Sequence, residues 1–207
     1  MNLEVTHLFV IPVVKAGLSY TFQEYEIDYI NNKLEKTKNE GNMRSVETNI
    51  LEHKELENVK KFIEIGIKKY VEHIISPINE NLEFYVTQSW INYTNTGGFH
   101  HRHAHPNSLI SGCLYLNADK DTDTITFYNP YSQYKRISIP SKQMSSYNAH
   151  TSCMSIETGQ LIMFDSSTEH MVEKTKSTKT RVSISFNVFV KGNLGSGTGF
   201  GDELKIL

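Results

Sequence analysis

The sequence predicts an α+β fold: a mainly β chain, a sandwich or barrel, with helices at its N-terminal side packed on one face of a sheet. Three observations predict it. Two segments before residue 80 carry apolar residues at helical spacing. From Glu83 on, short β-rich runs alternate with turn residues. No internal repeat and no apolar stretch of membrane-spanning length competes with that layout.

In order, "THLFVIPVVKAGL" reads as an early strand with a turn. "SYTFQEYEIDYINNKLEKTKNE" places Phe22, Tyr25, Ile27, Tyr29, Ile30 and Leu34 among charges, an amphipathic helix ended near Gly41. In "ELENVKKFIEIGIKKYVEHII", Leu56, Val59, Phe62, Ile63, Ile67, Tyr70, Val71 and Ile74 form one stripe, and Pro77 stops the helix. "EFYVTQSWINYT", "SLISGCLYLN", "TITFYNP", "KRISIP", "GQLIMFD" and "RVSISFNVFV" read as strands. "SKQMSSYNAHTSCMSIETG" is polar and poorly periodic, a loop near the mouth of a barrel or plain surface. The end, "KGNLGSGTGFGDELKIL", has five glycines from Gly192 to Gly201, and glycine at that density predicts a flexible tail. The expected divisions are 1–80 (strand and supporting helices), 81–191 (β-core) and 192–207 (tail).

The composition is ordinary for a globular chain: 38% hydrophobic, 11% aromatic and 21% charged over 207 residues, long enough to bury a core. A net charge of -2 and scattered lysines give no footprint for nucleic acid, and no membrane partner is expected. Cys113 and Cys153 stand far apart, which argues against a disulfide framework or zinc knuckle; Cys113 reads as a small core residue. The start lacks a basic n-region and a small-residue cleavage site, so a cytoplasmic location is expected (the host cytoplasm if the source is viral). Oligomeric state is left open.

The chemistry concentrates in "GGFHHRHAHPNSLISGCLYLN", which holds His100, His101, His103 and His105. On an extended segment His101, His103 and His105 share one face and His100 takes the other. Two histidines at i and i+2 can hold one metal ion; a solvated polar loop is the plainer alternative. A substrate-accessible metal site needs a third ligand from a distant strand, and "GQLIMFDSSTEHMVE" supplies His170. Arg181 opens the last strand, where a buried guanidinium is costly unless it meets an anion. A metal ligand beside a buried arginine suits a dicarboxylate, one end chelating and the other paired with arginine.

The ordered pattern "HxH(PNS)…SGxxYLN…GxLxxFxSxxxH…RxSISFN" resembles the 2-oxoglutarate and Fe(II)-dependent oxygenases, closest to those carried by cyanophages and marine bacteria and more distantly the prolyl hydroxylases. The resemblance covers about residues 84–190. It implies a double-stranded β-helix, a distorted cupin-like jelly roll, and an Fe(II)/2-oxoglutarate-dependent dioxygenase that uses O2 to hydroxylate its substrate and releases succinate and CO2. It implies His103 and His170 as iron ligands and Arg181 as partner of the cosubstrate's far carboxylate. Tyr93 and Tyr115 fall where cosubstrate-contacting tyrosines lie, though each is equally a core aromatic. Asn187 points into the barrel if its strand alternates.

One position departs from the usual pair of histidines and a carboxylate. His105 stands where the carboxylate belongs, and no Asp or Glu occurs between Glu83 and Asp119. The set is then His103, His105 and His170, with His101 and His103 as a second register. Two other functions remain: a three-histidine cupin-type dioxygenase that needs no 2-oxoglutarate, and a non-enzymatic jelly roll that builds or binds in a phage. The substrate, a small molecule or a protein or peptide, is not legible. Pro106 should end strand pairing, and Asn107 make a turn. Which face of Gln88, Trp90 and Asn92 points inward is open. His7, His53, His73 and His150 read as ordinary surface or packed residues.

Overall fold

The computed structural model describes residues 2, 4–6, 8–134, 137, 139–197 and 201–207. The elements are β1 (Val13–Lys15), α1 (Glu24–Asp28), β2 (Lys36–Asn39), β3 (Asn42–Ser45), α2 (Glu57–Tyr70), β4 (Glu83–Thr94), β5 (His100–His103), β6 (Ile110–Asn117), β7 (Thr124–Tyr128), β8 (Thr151–Ser155), β9 (Leu161–Asp165), β10 (His170–Val172), β11 (Arg181–Leu194) and β12 (Leu204–Ile206). No helix among the described residues is long and apolar enough to cross a membrane.

Alternation along β11 dictates the layering. Val182, Ile184, Phe186 and Val188 occupy one face, Arg181, Ser183, Ser185 and Asn187 the other, and all eight are buried. A central strand buried on both faces needs a cover on each. The large sheet runs β1-β9-β6-β11-β4-β3-β2, with β12 added to β11; the small sheet runs β5-β10-β7-β8. From β4 to β11 the chain passes back and forth between the two sheets, with β7 and β8 forming a hairpin within the small one, the winding of a double-stranded β-helix. The N-terminal helices cover the outer, apolar face.

α2 buries Val59, Ile63, Ile67 and Tyr70 against Ile91, Leu114, Met163, Ile184 and Phe186. Each such aliphatic side chain contributes about 1.5–3 kcal/mol by leaving water. Gly66 lets the helix lie close to β9, since a Cβ there would sit 2.6 Å from Leu161 Cδ2. A smaller core of Tyr115, Ile125, Phe127, Ile156, Ile162 and Phe164 fills the closed part of the space between the sheets.

The first helix is shorter than expected. Gln23 and Glu26 cap α1, with Glu26 Oε2 accepting the Gln23 amide at 2.8 Å, but helical geometry ends in a wide turn over Tyr29–Lys33. "KTKNEGNMRS" is instead the hairpin β2–β3, closed by Glu40 and Gly41, with Gly41 at φ +79°. A short polar edge hairpin carries no apolar alternation, so the turn glycine looks like a helix stop.

Part of the polar 141–159 segment also pairs, as β8 against β7. The expected strand over 135–140 falls partly on residues outside the described ones. At the chain end, β11 runs on through Leu194, and Gly192–Leu194 pairs with Leu204–Ile206 in the segment expected to be flexible.

Candidate active site

β5 runs antiparallel to β10, with His103 opposite His170 and His100 opposite Val172. Three residue steps on β5 thus face two on β10, a bulge that breaks simple alternation. The expected side assignment of the histidines is corrected by it. His100 turns into the cavity with His103 and stacks on it at 4.5 Å between ring centroids. His101 stays at the rim, its side chain 42% exposed and its Nδ1 3.5 Å from Glu40 Oε2. Arg102 points outward, over the Tyr128 ring and paired with Glu169.

One ring nitrogen from each of His103, His105 and His170 lies within 4.8 Å of the others. Their tautomers follow from their partners. His103 Nδ1–H donates to the His101 carbonyl at 2.8 Å, His105 Nδ1–H to Asn187 Oδ1 at 2.6 Å, and His170 Nδ1–H to the Thr168 carbonyl at 3.0 Å. Carbonyl oxygens only accept, so each Nδ1 carries the proton and each Nε2 an open lone pair. The Nε2 atoms of His103 and His105 face each other at 3.1 Å. Two lone pairs at that distance repel unless a cation bridges them. Two metal–nitrogen bonds of about 2.1 Å at a right angle would span about 3.0 Å.

Burial lowers the pKa of His103 and His105. Burial, then the facing His103, pushes His170 down to about 3; the same two causes bring His100 to about 3. Neutral imidazoles are the form a metal needs. A second trio, His100, His101 and His103, also brings its nitrogens within 4.8 Å of one another. Its tautomers are not set for a ligand role: His101 Nδ1 has no hydrogen bond, and His100 Nδ1 meets the Asn42 amide nitrogen at 3.2 Å.

Arg181 sits at the root of β11, 4% exposed. Its Nη2 donates to Thr94 Oγ1 at 3.3 Å, while Nη1 is buried with no hydrogen-bond partner among the described residues. Burial pushes its pKa down, and the acid whose field reaches it, Asp123, is engaged by Thr175 and the Asp119 amide. Arg181 lines the same cavity as His103, His105, His170 and Tyr115, and among the described residues no acidic one lines it. An unpaired buried N–H forfeits a hydrogen bond that an anionic ligand would restore.

Tyr115 lies on the inner face of β6, 2% exposed, with burial raising its hydroxyl pKa. Tyr93 does not join it, and its expected cosubstrate contact is corrected. Val182 pairs with Tyr93 and Arg181 with Thr94, so Tyr93 takes the outer face. There it packs in the helix-side core, and its hydroxyl donates to the Ile30 carbonyl.

Trp90 and Asn92 face inward and line the cavity. Cys113 lines it too, its Sγ 3.3 Å from Ser185 Oγ, rather than being plain core. Asn187 is closer to the site than its sequence context suggested, because it holds His105. His100 and Asn42 were missed: the bulge hid the first and the misread hairpin the second. Asn107 makes the expected turn at φ +56°, and pairing ends at His103, before Pro106. His53 joins Tyr29 and Glu47, and His73 bonds the Lys69 carbonyl, away from the site. His7 lies outside the described residues.

Residues 88–187, just under half of the chain, match the model of a family described as "Putative 2OG-Fe(II) oxygenase". No curated protein sequence matches the chain. Among solved structures, an oxidoreductase of the 2OG-Fe(II) oxygenase family from Burkholderia pseudomallei is similar at TM-score 0.57 and 12% identity, over 85% of this chain and 83% of that one. The non-heme alpha ketoglutarate dependent carbocyclase SnoK from nogalamycin biosynthesis is similar at TM-score 0.61 and 12% identity, over 92% and 85%. HygX from Streptomyces hygroscopicus, solved with nickel, 2-oxoglutarate and hygromycin B, is similar at 0.55 and 8% identity, over 86% and 82%. At such identities these likenesses are likenesses of fold.

Proposed function

We propose, from the family match over residues 88–187, that the chain is a 2OG-Fe(II) oxygenase in which His103, His105 and His170 are the iron's protein ligands and Arg181 and Tyr115 hold 2-oxoglutarate. Bound iron, 2-oxoglutarate and O2 supply the oxidising chemistry that hydroxylates the substrate, with succinate and CO2 as co-products.

The residues present fit both groups. The observation that carries the reading is the pairing, in one cavity, of convergent unprotonated Nε2 atoms with the partnerless Nη1 of Arg181. The three histidines enter neutral and keep their Nε2 lone pairs aimed inward because Asn187 and two backbone carbonyls hold their Nδ1 protons. Arg181 orients the dicarboxylate by taking its far carboxylate, and the Tyr115 hydroxyl donates to the same group. Ile125 and Phe164 line the inner wall and limit water there. With three neutral ligands, the dicarboxylate supplies the negative charge at the metal.

The absence of a carboxylate ligand favours one second reading, a three-histidine dioxygenase independent of 2-oxoglutarate; Arg181 has no role in it. Anaerobic titration with Fe(II) and then 2-oxoglutarate separates the two. A weak visible metal-to-ligand charge-transfer band that needs both components is expected. Iron binding without that band, and turnover without succinate, would favour the second reading. A cytoplasmic location is part of the proposal, supported by the two free cysteines and by the Fe(II) the chemistry needs.

A further inference from the structure

An open groove lies outside the histidines and shares His100, His103, His105 and Trp90 with the inner cavity. Its other lining is amide-rich, including Asn39, Gln88 and Asn107, and contains no acidic residue. Arg44 is its single guanidinium. We propose that the β2–β3 hairpin selects the substrate: Arg44 binds an oxyanionic group, a carboxylate or phosphate ester, of a polar substrate. The proposal rests on iron and 2-oxoglutarate occupying the inner cavity, which leaves the groove as the substrate's approach.

The hairpin's register carries the argument. Arg44 pairs with Asn92 and Met43 with Tyr93, so Arg44 and Asn42 take the inward face and Met43 the helix-side core. Arg44 Nη1 donates to the carbonyls of Ser45 at 2.9 Å and Val46 at 3.4 Å. One end of the guanidinium is thereby anchored, while its Nη2 and Nε have no partner, and no carboxylate pairs with it among the described residues. A held guanidinium with a free edge is a preset receptor for a two-oxygen anion. Fe(II), the cosubstrate dianion and the Arg181 guanidinium would together leave the inner cavity cationic, and Arg44 adds the groove's own positive charge. Asn42, on the same face, lines the inner cavity rather than the groove, and its Nδ2 donates to His100. Both residues precede the 88–187 segment that matches the family, so the family match does not assign them.

The test uses the full chain loaded anaerobically with Fe(II) and 2-oxoglutarate. The probes are matched pairs: N-acetyl amino acids against their amides, and hexose 6-phosphates against free hexoses. The readouts are perturbation of the visible band and the thermal midpoint. An anionic member should act at no more than one-tenth of the concentration its neutral partner needs, and the responding pair distinguishes carboxylate from phosphate. Arg44→Gln should erase the preference, Arg44→Lys should keep part of it, and both should retain the band. Equal action of neutral and anionic members, no response to any anionic member, or a preference that survives Arg44→Gln would overturn the proposal. The last result would make Arg44 a clamp on the Ser45 and Val46 carbonyls only. No band in the unsubstituted protein would instead refute the iron and 2-oxoglutarate reading, and this proposal with it.

Discussion

Asn187 Oδ1 accepts two hydrogen bonds at once, from His105 Nδ1 at 2.6 Å and from Ser111 Oγ at 2.8 Å. The second bond fixes which way the amide points, because a serine chain through Ser166 and Ser108 backs it. The amide in turn fixes the His105 tautomer. Removing such a support from a ligand histidine typically costs about 10–100-fold in metal affinity. Asn187→Ala should therefore weaken Fe(II) or Mn(II) binding by about that factor, with circular dichroism unchanged. Asn187→Asp should keep the affinity, since a carboxylate accepts the same proton. Equal affinity in the Ala variant would show that His105 does not depend on this partner.

Arg181→Leu should weaken 2-oxoglutarate while sparing the metal. Losing one partner of a buried charge pair costs about 3–5 kcal/mol, on the order of a hundredfold or more in affinity. The ligand-free protein should respond differently. There Arg181 is 4% exposed and its Nη1 has no partner among the described residues, so leucine removes an unsatisfied buried charge. The expected outcome is an unchanged or raised thermal midpoint without ligand and a large loss of 2-oxoglutarate affinity by titration. A variant that unfolds without ligand would make Arg181 structural first.

The two tyrosines should separate cleanly. Tyr93→Phe removes a donor to the Ile30 carbonyl on the helix side and should cost about 1 kcal/mol in urea unfolding, leaving 2-oxoglutarate affinity alone. Tyr115→Phe removes a hydroxyl from the cavity that Arg181 lines. A lost hydrogen bond to a charged group is worth about 1.5–3 kcal/mol, so the cosubstrate should bind at least tenfold more weakly. The reverse pattern would mean that the strand faces have been exchanged.

The Tyr93 correction also shows what the sequence held and did not. On β11 the polar residues Arg181, Ser183, Ser185 and Asn187 share a face, and Arg181 marks that face as the site's. Antiparallel pairing then puts the polar positions of β4, Asn92 and Thr94, on the same side, so Ile91 and Tyr93 belong with the helices. That signal was legible without coordinates; spacing to the histidines was the weaker guide. β4 was legible to the residue, because its aromatic and β-branched run is long and bounded by turns. The β5 bulge was not legible, since it exists only in pairing with β10, about seventy residues away. Nor was the β2–β3 hairpin: its faces alternate in exposure, but lysines, threonine and asparagine write no apolar alternation into the sequence.

His105 sets the last prediction, because it stands where a carboxylate is usual. If it is a ligand, His105→Ala should lose most Fe(II) or Mn(II) affinity, since one of only three protein donors goes. His105→Asp should retain the metal: a carboxylate is also a ligand, and it lowers the charge left on the ion. Its shorter side chain also leaves the Asn187 Oδ1 contact without its imidazole partner, so the Asp variant should bind less tightly than an unaltered two-histidine, one-carboxylate site would. His101→Ala should do little, because His101 lies at the rim with its Nδ1 toward Glu40 Oε2 at 3.5 Å. Metal affinity by calorimetry across the three variants reads all of this at once, with His170→Ala as the metal-free reference. Loss of binding in His101→Ala with retention in His105→Ala would move the site to the neighbouring trio of His100, His101 and His103. It would leave the 3.1 Å approach of His103 and His105 without the cation that explains it.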